Sequence, residues 1–165
     1  MPPPIDELII TIQKLRRKLD SGALLAFAGN AQRAIRLRGT VSVLIAGNAQ
    51  MQRLNREFLR KNKATDVLSF PGAVDGVGGD IAISADIAAA NAKAFGHPLQ
   101  QEIQILLLHG MLHLAGYDHE NDAGEMSRKE ASLRKLLGLP TSLISRAQKS
   151  KTMRPVRKQA RRKTA

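Results

Sequence analysis

The chain has no cysteine and no tryptophan among its 165 residues. Without thiols there is no disulfide framework and no thiolate site, so any bound metal must rest on His, Asp or Glu. The absence suits a reduced cytoplasm. Aromatic residues are scarce, four Phe and one Tyr, so any grip on a nucleic acid must be mostly electrostatic rather than built on stacked rings. No apolar run approaches the roughly 18 residues that a membrane span needs. The opening MPPPIDELIITIQ lacks the basic start and longer apolar core of a secretory signal. A soluble, cytoplasmic protein with no membrane partner is expected.

Acid is missing from one region altogether. The net charge is +12, but residues 146–165 hold nine Lys/Arg and no Asp or Glu, leaving 17 basic and 14 acidic residues, a net of +3, in residues 1–145. The stretch RAQKSKTMRPVRKQARRKTA has too few large apolar side chains to offset the entropy of ordering, so it is expected to be a disordered tail. Its natural partner is a polyanion, bound with counterion release and a steep salt dependence. A purely solubilising tail is the alternative. Residues 1–145 are long enough for one domain with its own core, and the chain's 43% hydrophobic content suits a globular fold.

Hydrophobic periodicity divides that domain into nine elements. ELIITIQ reads as a strand, and GALLAFAGNAQRAIRL as a helix capped by Ser21 and ended by Gly39. TVSVLIAG is a buried strand. Asn48 caps a helix to about Leu59, with Met51, Leu54, Phe58 and Leu59 as its apolar stripe. ATDVLSFP holds a strand stopped by Pro71, GAVDGVGG a Gly-rich loop, and DIAIS a fourth strand. Asp86 opens an Ala-rich helix closed by Gly96, and Pro98 starts PLQQEIQILLLHGMLHLAG. A last helix runs from about Ala123 to Leu137. The order β-α-β-α-β-β-α-α-α predicts an α+β fold, a small mixed sheet of about four strands packed against several helices.

Three of the four histidines lie in HGMLHLAGYDH, residues 109–119. His109 and His113 are four apart and share one helix face. Gly116 suits a left-handed turn that halts the helix, and His119 follows as the chain bends back. Burying two imidazoles among ILLL and ML costs a few kcal/mol for each ring left without a partner. A metal satisfies both, and three His with an open fourth position is the arrangement of catalytic zinc. Zinc, one per chain, is the first choice; nickel or another divalent ion is the alternative. His97, in FGHPLQ, reads as a loop residue rather than a ligand. Gly110 stands where H-E-x-x-H peptidases carry their general base, so that chemistry lacks a part. A glycine there lets a neighbouring element, or a substrate, approach the backbone; packing is the favoured reason.

These residues resemble a known family. HGMLHLAGYDH is similar to the H-x-x-x-H-x-x-x-x-x-H signature of the YbeY family of bacterial rRNA maturation factors, described as metal-dependent endoribonucleases. TDVLSFP (Thr65–Pro71) and GGDIAIS (Gly78–Ser84) match two further blocks in the same order. The resemblance covers roughly residues 40–138, more loosely the first strand and helix, and not the basic tail. It implies that His109, His113 and His119 ligate zinc. It implies a substrate of single-stranded RNA, in maturation of the 16S rRNA 3′ end and ribosome quality control, with the ribosome or a subunit as partner. The family carries an arginine in N-x-x-Y/F-R ahead of the TDVLSFP block. An ungapped match places Leu59 there, and the nearest guanidinium, Arg60, is one residue on, about 100° around a helix.

Arg60, Lys61 and Lys63 are candidates for steadying phosphate charge, or simply a solvated helix end. Asp118 is a candidate for orienting a ligand imidazole, or an ordinary turn aspartate. No protein base is evident, which leaves a metal-activated water or the RNA 2′-hydroxyl as nucleophile. Phe27, Phe58 and Phe70 are expected in the core, and Tyr117 is the ring left to stack near the metal. Besides a metal-dependent endoribonuclease, two readings stand: an RNA- or ribosome-binding assembly factor with a structural metal, and a metallohydrolase of another substrate.

Overall fold

The computed structural model describes residues 7–13, 15, 17–60, 65–74 and 76–140. The basic tail therefore lies outside the described residues, as do Lys61 and Lys63. The elements are β1 (Leu8–Ile12), α1 (Ser21–Ile35), β2 (Thr40–Ala46), α2 (Asn48–Leu59), β3 (Val67–Pro71), β4 (Val77–Ser84), α3 (Ala85–Phe95), α4 (Leu99–Leu114) and α5 (Glu125–Leu137). The strands form one mixed sheet in the order β1-β2-β4-β3. β1, β2 and β4 run parallel, and β3 pairs antiparallel with β4 as an edge strand. The expected α+β architecture and element order are the observed ones.

Period-2 alternation decides which sheet face is buried. Val41, Val43, Ile45, Ile81 and Ile83 point to one face and meet α1 and α4 in the main core. α4 is apolar almost all round, which is the mark of a central helix. Its residues from Ile105 to Leu112 are all buried. The opposite sheet face is covered by α2 in a small cluster of Met51, Leu68 and Ala82. Among the described residues no helix is long and apolar enough to cross a membrane.

Several boundaries differ from those the sequence predicts. Asp20, not Ser21, caps α1, its carboxylate accepting from the Ala23 amide at 2.9 Å. That helix ends at a left-handed Arg36 (φ 61°) before Gly39 is reached. Gly47 occupies the α2 cap position, while Asn48 accepts from Ser84 Oγ through its side chain at 2.8 Å. Ser84 rather than Asp86 caps α3, its hydroxyl accepting from the Ile87 amide at 3.1 Å. α5 begins at Glu125, two residues later than expected, after Asp122 accepts from the Gly124 and Met126 amides. The Gly-rich loop is shorter than expected because β4 starts at Val77. Gly79 there serves the sheet: at φ 137°, a Cβ would sit 2.5 Å from the Phe70 carbonyl oxygen and 2.7 Å from Leu114 Cδ2.

A candidate metal centre

The centre is built by one helix and the turn that follows it. α4 carries His109, buried at 7% exposure, and His113, half-buried, on the same face. The helix stops at Ala115, and Gly116 takes φ 95°, the left-handed conformation open to glycine, so that the chain reverses. His119 then returns, exposed, over the same spot. One ring nitrogen from each of the three histidines falls within 4.8 Å of the others, a set able to hold a metal ion.

The hydrogen bonds behind the rings decide what the front can do. His109 Nδ1–H faces Glu130 Oε2 at 3.2 Å, and His113 Nδ1–H faces the Tyr117 carbonyl oxygen at 3.0 Å. Both partners are acceptors, so the proton of each neutral ring is drawn to Nδ1 and the lone pair to Nε2. Those two Nε2 atoms stand 3.2 Å apart. Two lone pairs facing at that distance repel unless a cation lies between them. Zinc–nitrogen bonds of about 2.0–2.1 Å at a tetrahedral angle would hold two nitrogens about 3.3 Å apart. Burial, and then the neighbouring His109 and His119 rings, lower the His113 pKa below its ordinary value. That ring is therefore neutral at pH 7, in the form that ligates. The donor set and its supports fit a divalent ion.

Glu130 is the residue that sequence reasoning missed. It is fully buried on α5, and its Oε1 lies 3.4 Å from Arg134 Nη1 one turn on. Arg134, 2% exposed, donates from Nε to the Pro140 carbonyl at 2.6 Å. The available signal was an acid inside the apolar stripe of Met126, Glu130 and Leu133. Asp118, expected as an orienting group, instead builds the turn. It accepts from the Glu120 amide at 3.1 Å and the Asn121 side-chain amide at 2.5 Å, bonds that, Asn121 first, lower its pKa.

The histidines open into a cleft of about 680 Å³ walled by Leu59, Thr65, Asp66, Ser69 and Tyr117. A larger hollow of about 880 Å³ lies beside the opposite edge strand, near Leu8, Arg33 and Arg36. It has no imidazole or carboxylate in its wall, so size does not mark the chemistry. Gly110 is explained by packing: a Cβ would meet Ile81 Cγ2 at 3.0 Å and Ser69 Oγ at 3.1 Å. His97 faces away from this centre, against the buried Glu102 at the start of α4. The structure brings the three histidines together but does not bring Arg60 to the cleft wall. Arg60 closes α2 in a left-handed conformation (φ 55°), exposed, while Leu59 lines the cleft.

The family model described as Endoribonuclease YbeY matches residues 9–138. The chain belongs to the YbeY family. Among its relatives, Endoribonuclease YbeY of Koribacter versatilis strain Ellin345 is 49% identical over 155 residues, covering 94% of this chain and 99% of that protein. Endoribonuclease YbeY of Solibacter usitatus strain Ellin6076 is 47% identical over 139 residues, covering 84% and 94%. The solution structure of TM1509 from Thermotoga maritima superposes with a TM-score of 0.56 at 25% identity, over 90% of this chain and 98% of that one. The YbeY match spans every element from β1 to α5, and so includes all three histidines and Glu130.

Proposed function

We propose that the chain is a single-strand-specific, metal-dependent endoribonuclease acting in 16S rRNA 3′-end maturation and ribosome quality control, with the ribosome or a subunit as partner and the cytoplasm as its place of action. Residues 1–145 would form the catalytic domain and residues 146–165 a basic arm for the RNA backbone. The observation that carries the reading is the facing pair of Nε2 atoms, 3.2 Å apart, with their Nδ1 protons held from behind in a family named for ribonuclease activity.

His109, His113 and His119 would hold one zinc ion, with nickel or another divalent ion as the alternative. Bound there, the cation supplies Lewis acidity toward a phosphoryl oxygen and lowers the pKa of water to about 7. The protein's part is orientation. Glu130 keeps the His109 proton on Nδ1 and leaves Nε2 free, and the Tyr117 carbonyl does the same for His113. Burial of His109 and Glu130 on α4 and α5 fixes two ligands on rigid elements. His119, on the turn built by Asp118, completes the set from the solvent side. The hydroxyls of Thr65 and Ser69 sit in the cleft wall as hydrogen-bonding groups for a phosphodiester.

One observation favours a second reading, an RNA- or ribosome-binding assembly factor with a structural metal: apolar Leu59 lines the cleft at the position of the family arginine. The two separate in one assay, cleavage of a labelled single-stranded RNA by the native chain, by His113→Ala and by chelated protein. Cleavage lost in the variant and on chelation, and restored by zinc, supports the nuclease. Cleavage that survives chelation rejects it, and salt-sensitive binding without cleavage favours the assembly factor.

A further inference from the structure

Phe58 is not in the core. It is 63% exposed, although it continues the α2 stripe whose Met51 is fully buried. The stripe overshoots the sheet: Met51 meets Leu68 and Ala82, but Phe58, two turns later, reaches past edge strand β3. Its ring lies against Phe70, centroids 5.3 Å apart at 56°. The two rings line an apolar hollow of about 510 Å³ with Leu44, Leu54 and Ala82.

This hollow adjoins the metal cleft. Ser69 and Pro71 line the cleft and Phe70, between them, lines the hollow; Leu59 lines the cleft and Phe58, before it, lines the hollow. β3 and the end of α2 are thus the shared rim. The same helix exposes Arg53 and Arg56, and Arg60 follows at its end, against one acid, Glu57. On the far side of the hollow Asp80 is exposed and repels phosphate, which keeps any polyanion on the α2 side. An open aromatic face flanked by guanidiniums is what a single strand needs: bases stack on the ring while cations follow the backbone.

We infer that Phe58 stacks a base of single-stranded RNA whose backbone passes from the metal cleft over β3 and along the basic side of α2. The inference rests on the nuclease reading above for the identity of the strand. It assigns to Phe58 substrate binding within a few nucleotides of the cleaved bond.

The absence of tryptophan makes the test direct, because Phe58→Trp creates a single reporter. In a His113→Ala background, which blocks cleavage, the emission should be quenched by a single-stranded RNA and not by an abasic strand of equal length. In cleavage assays Phe58→Ala should raise KM by about 5-fold or more, the effect of losing one stacked base, with kcat little changed. Phe58→Tyr and Phe58→Trp should restore it, and equal melting temperatures show the fold is intact. Cleavage by the native chain, with unchanged KM in Phe58→Ala and no base-dependent quench, overturns the stacking role and leaves the nuclease reading standing. Quenching without any cleavage by the native chain supports the stacking role and rejects the nuclease. An emission shift that tracks protein concentration and ignores RNA makes the hollow a self-association face and overturns the assignment.

Discussion

Glu130→Gln is the substitution that probes the centre from behind. The side chain keeps its shape and touches no solvent, so the change removes charge alone from a site where Oε2 meets His109 Nδ1 at 3.2 Å and Oε1 meets Arg134 Nη1 at 3.4 Å. Two effects follow, and they differ in size and assay. Weakening the group that orients a ligand imidazole typically costs 10- to 100-fold in metal affinity. Stripping one partner from a buried ion pair costs about 3–5 kcal/mol of stability, a large share of the roughly 5–15 kcal/mol of an ordinary domain. The second loss could hide the first, so Glu130→Gln/Arg134→Met is made alongside; with both charges gone, most of the stability should return. Metal affinity is read by competition against a zinc chelator, and stability by urea unfolding of the metal-free chain. The expected pattern is low affinity in both variants, with low stability in the single variant only. Native affinity in the double variant would refute the orienting role of Glu130.

Gly110→Ala gains about 1 kcal/mol of helix propensity, but its Cβ must enter space 3.0 Å from Ile81 Cγ2 and 3.1 Å from Ser69 Oγ. Overpacking of this kind costs about 1–3 kcal/mol, so urea unfolding should show a net loss; a gain would mean that the α4–sheet contact yields easily. The Asn48 amide, first, and then the Arg17 guanidinium hold the Asp86 carboxyl below the usual carboxylate range. A lowered folded-state pKa gives stability that is complete above the unfolded value of about 3.9 and is lost as pH falls through the folded value. Native protein should therefore exceed Asp86→Asn in stability at neutral pH, with the difference closing below about pH 4; a difference that persists undiminished in acid would contradict this. Deleting residues 146–165 removes nine cations, and should weaken RNA binding and flatten its dependence on salt. An unchanged salt slope would make the tail a solubiliser.

What was legible in the sequence was local. His109 and His113 share a face because helix periodicity is set by near neighbours, and Gly116 marks the turn because few other residues take φ 95° without strain. The parts that escaped depend on distant contacts. Glu130 supports His109 across 21 residues, and only the docking of α5 on α4 reveals it. Phe58 fits the α2 stripe by spacing, yet burial depends on how far the sheet extends beneath it. Gly78 and Gly79 resemble loop residues until β3 and the Arg38 backbone close on them. The helix starts shifted because Asp20, Ser21, Ser84 and Asp86 are all able caps by type, and tertiary position chooses among them. At α3 the choice is visible: Ser84 points its hydroxyl into the helix, while Asp86 is taken by Asn48 and Arg17.

The central claim is that three imidazoles close on one cation, and X-ray absorption at the metal edge on purified protein, with metal counted per chain, tests it most directly. The account predicts one divalent ion per chain, nitrogen neighbours at about 2.0–2.1 Å, and loss of the ion in His113→Ala. A native chain that stays empty when zinc is supplied, or that binds it equally well without His113, would contradict it.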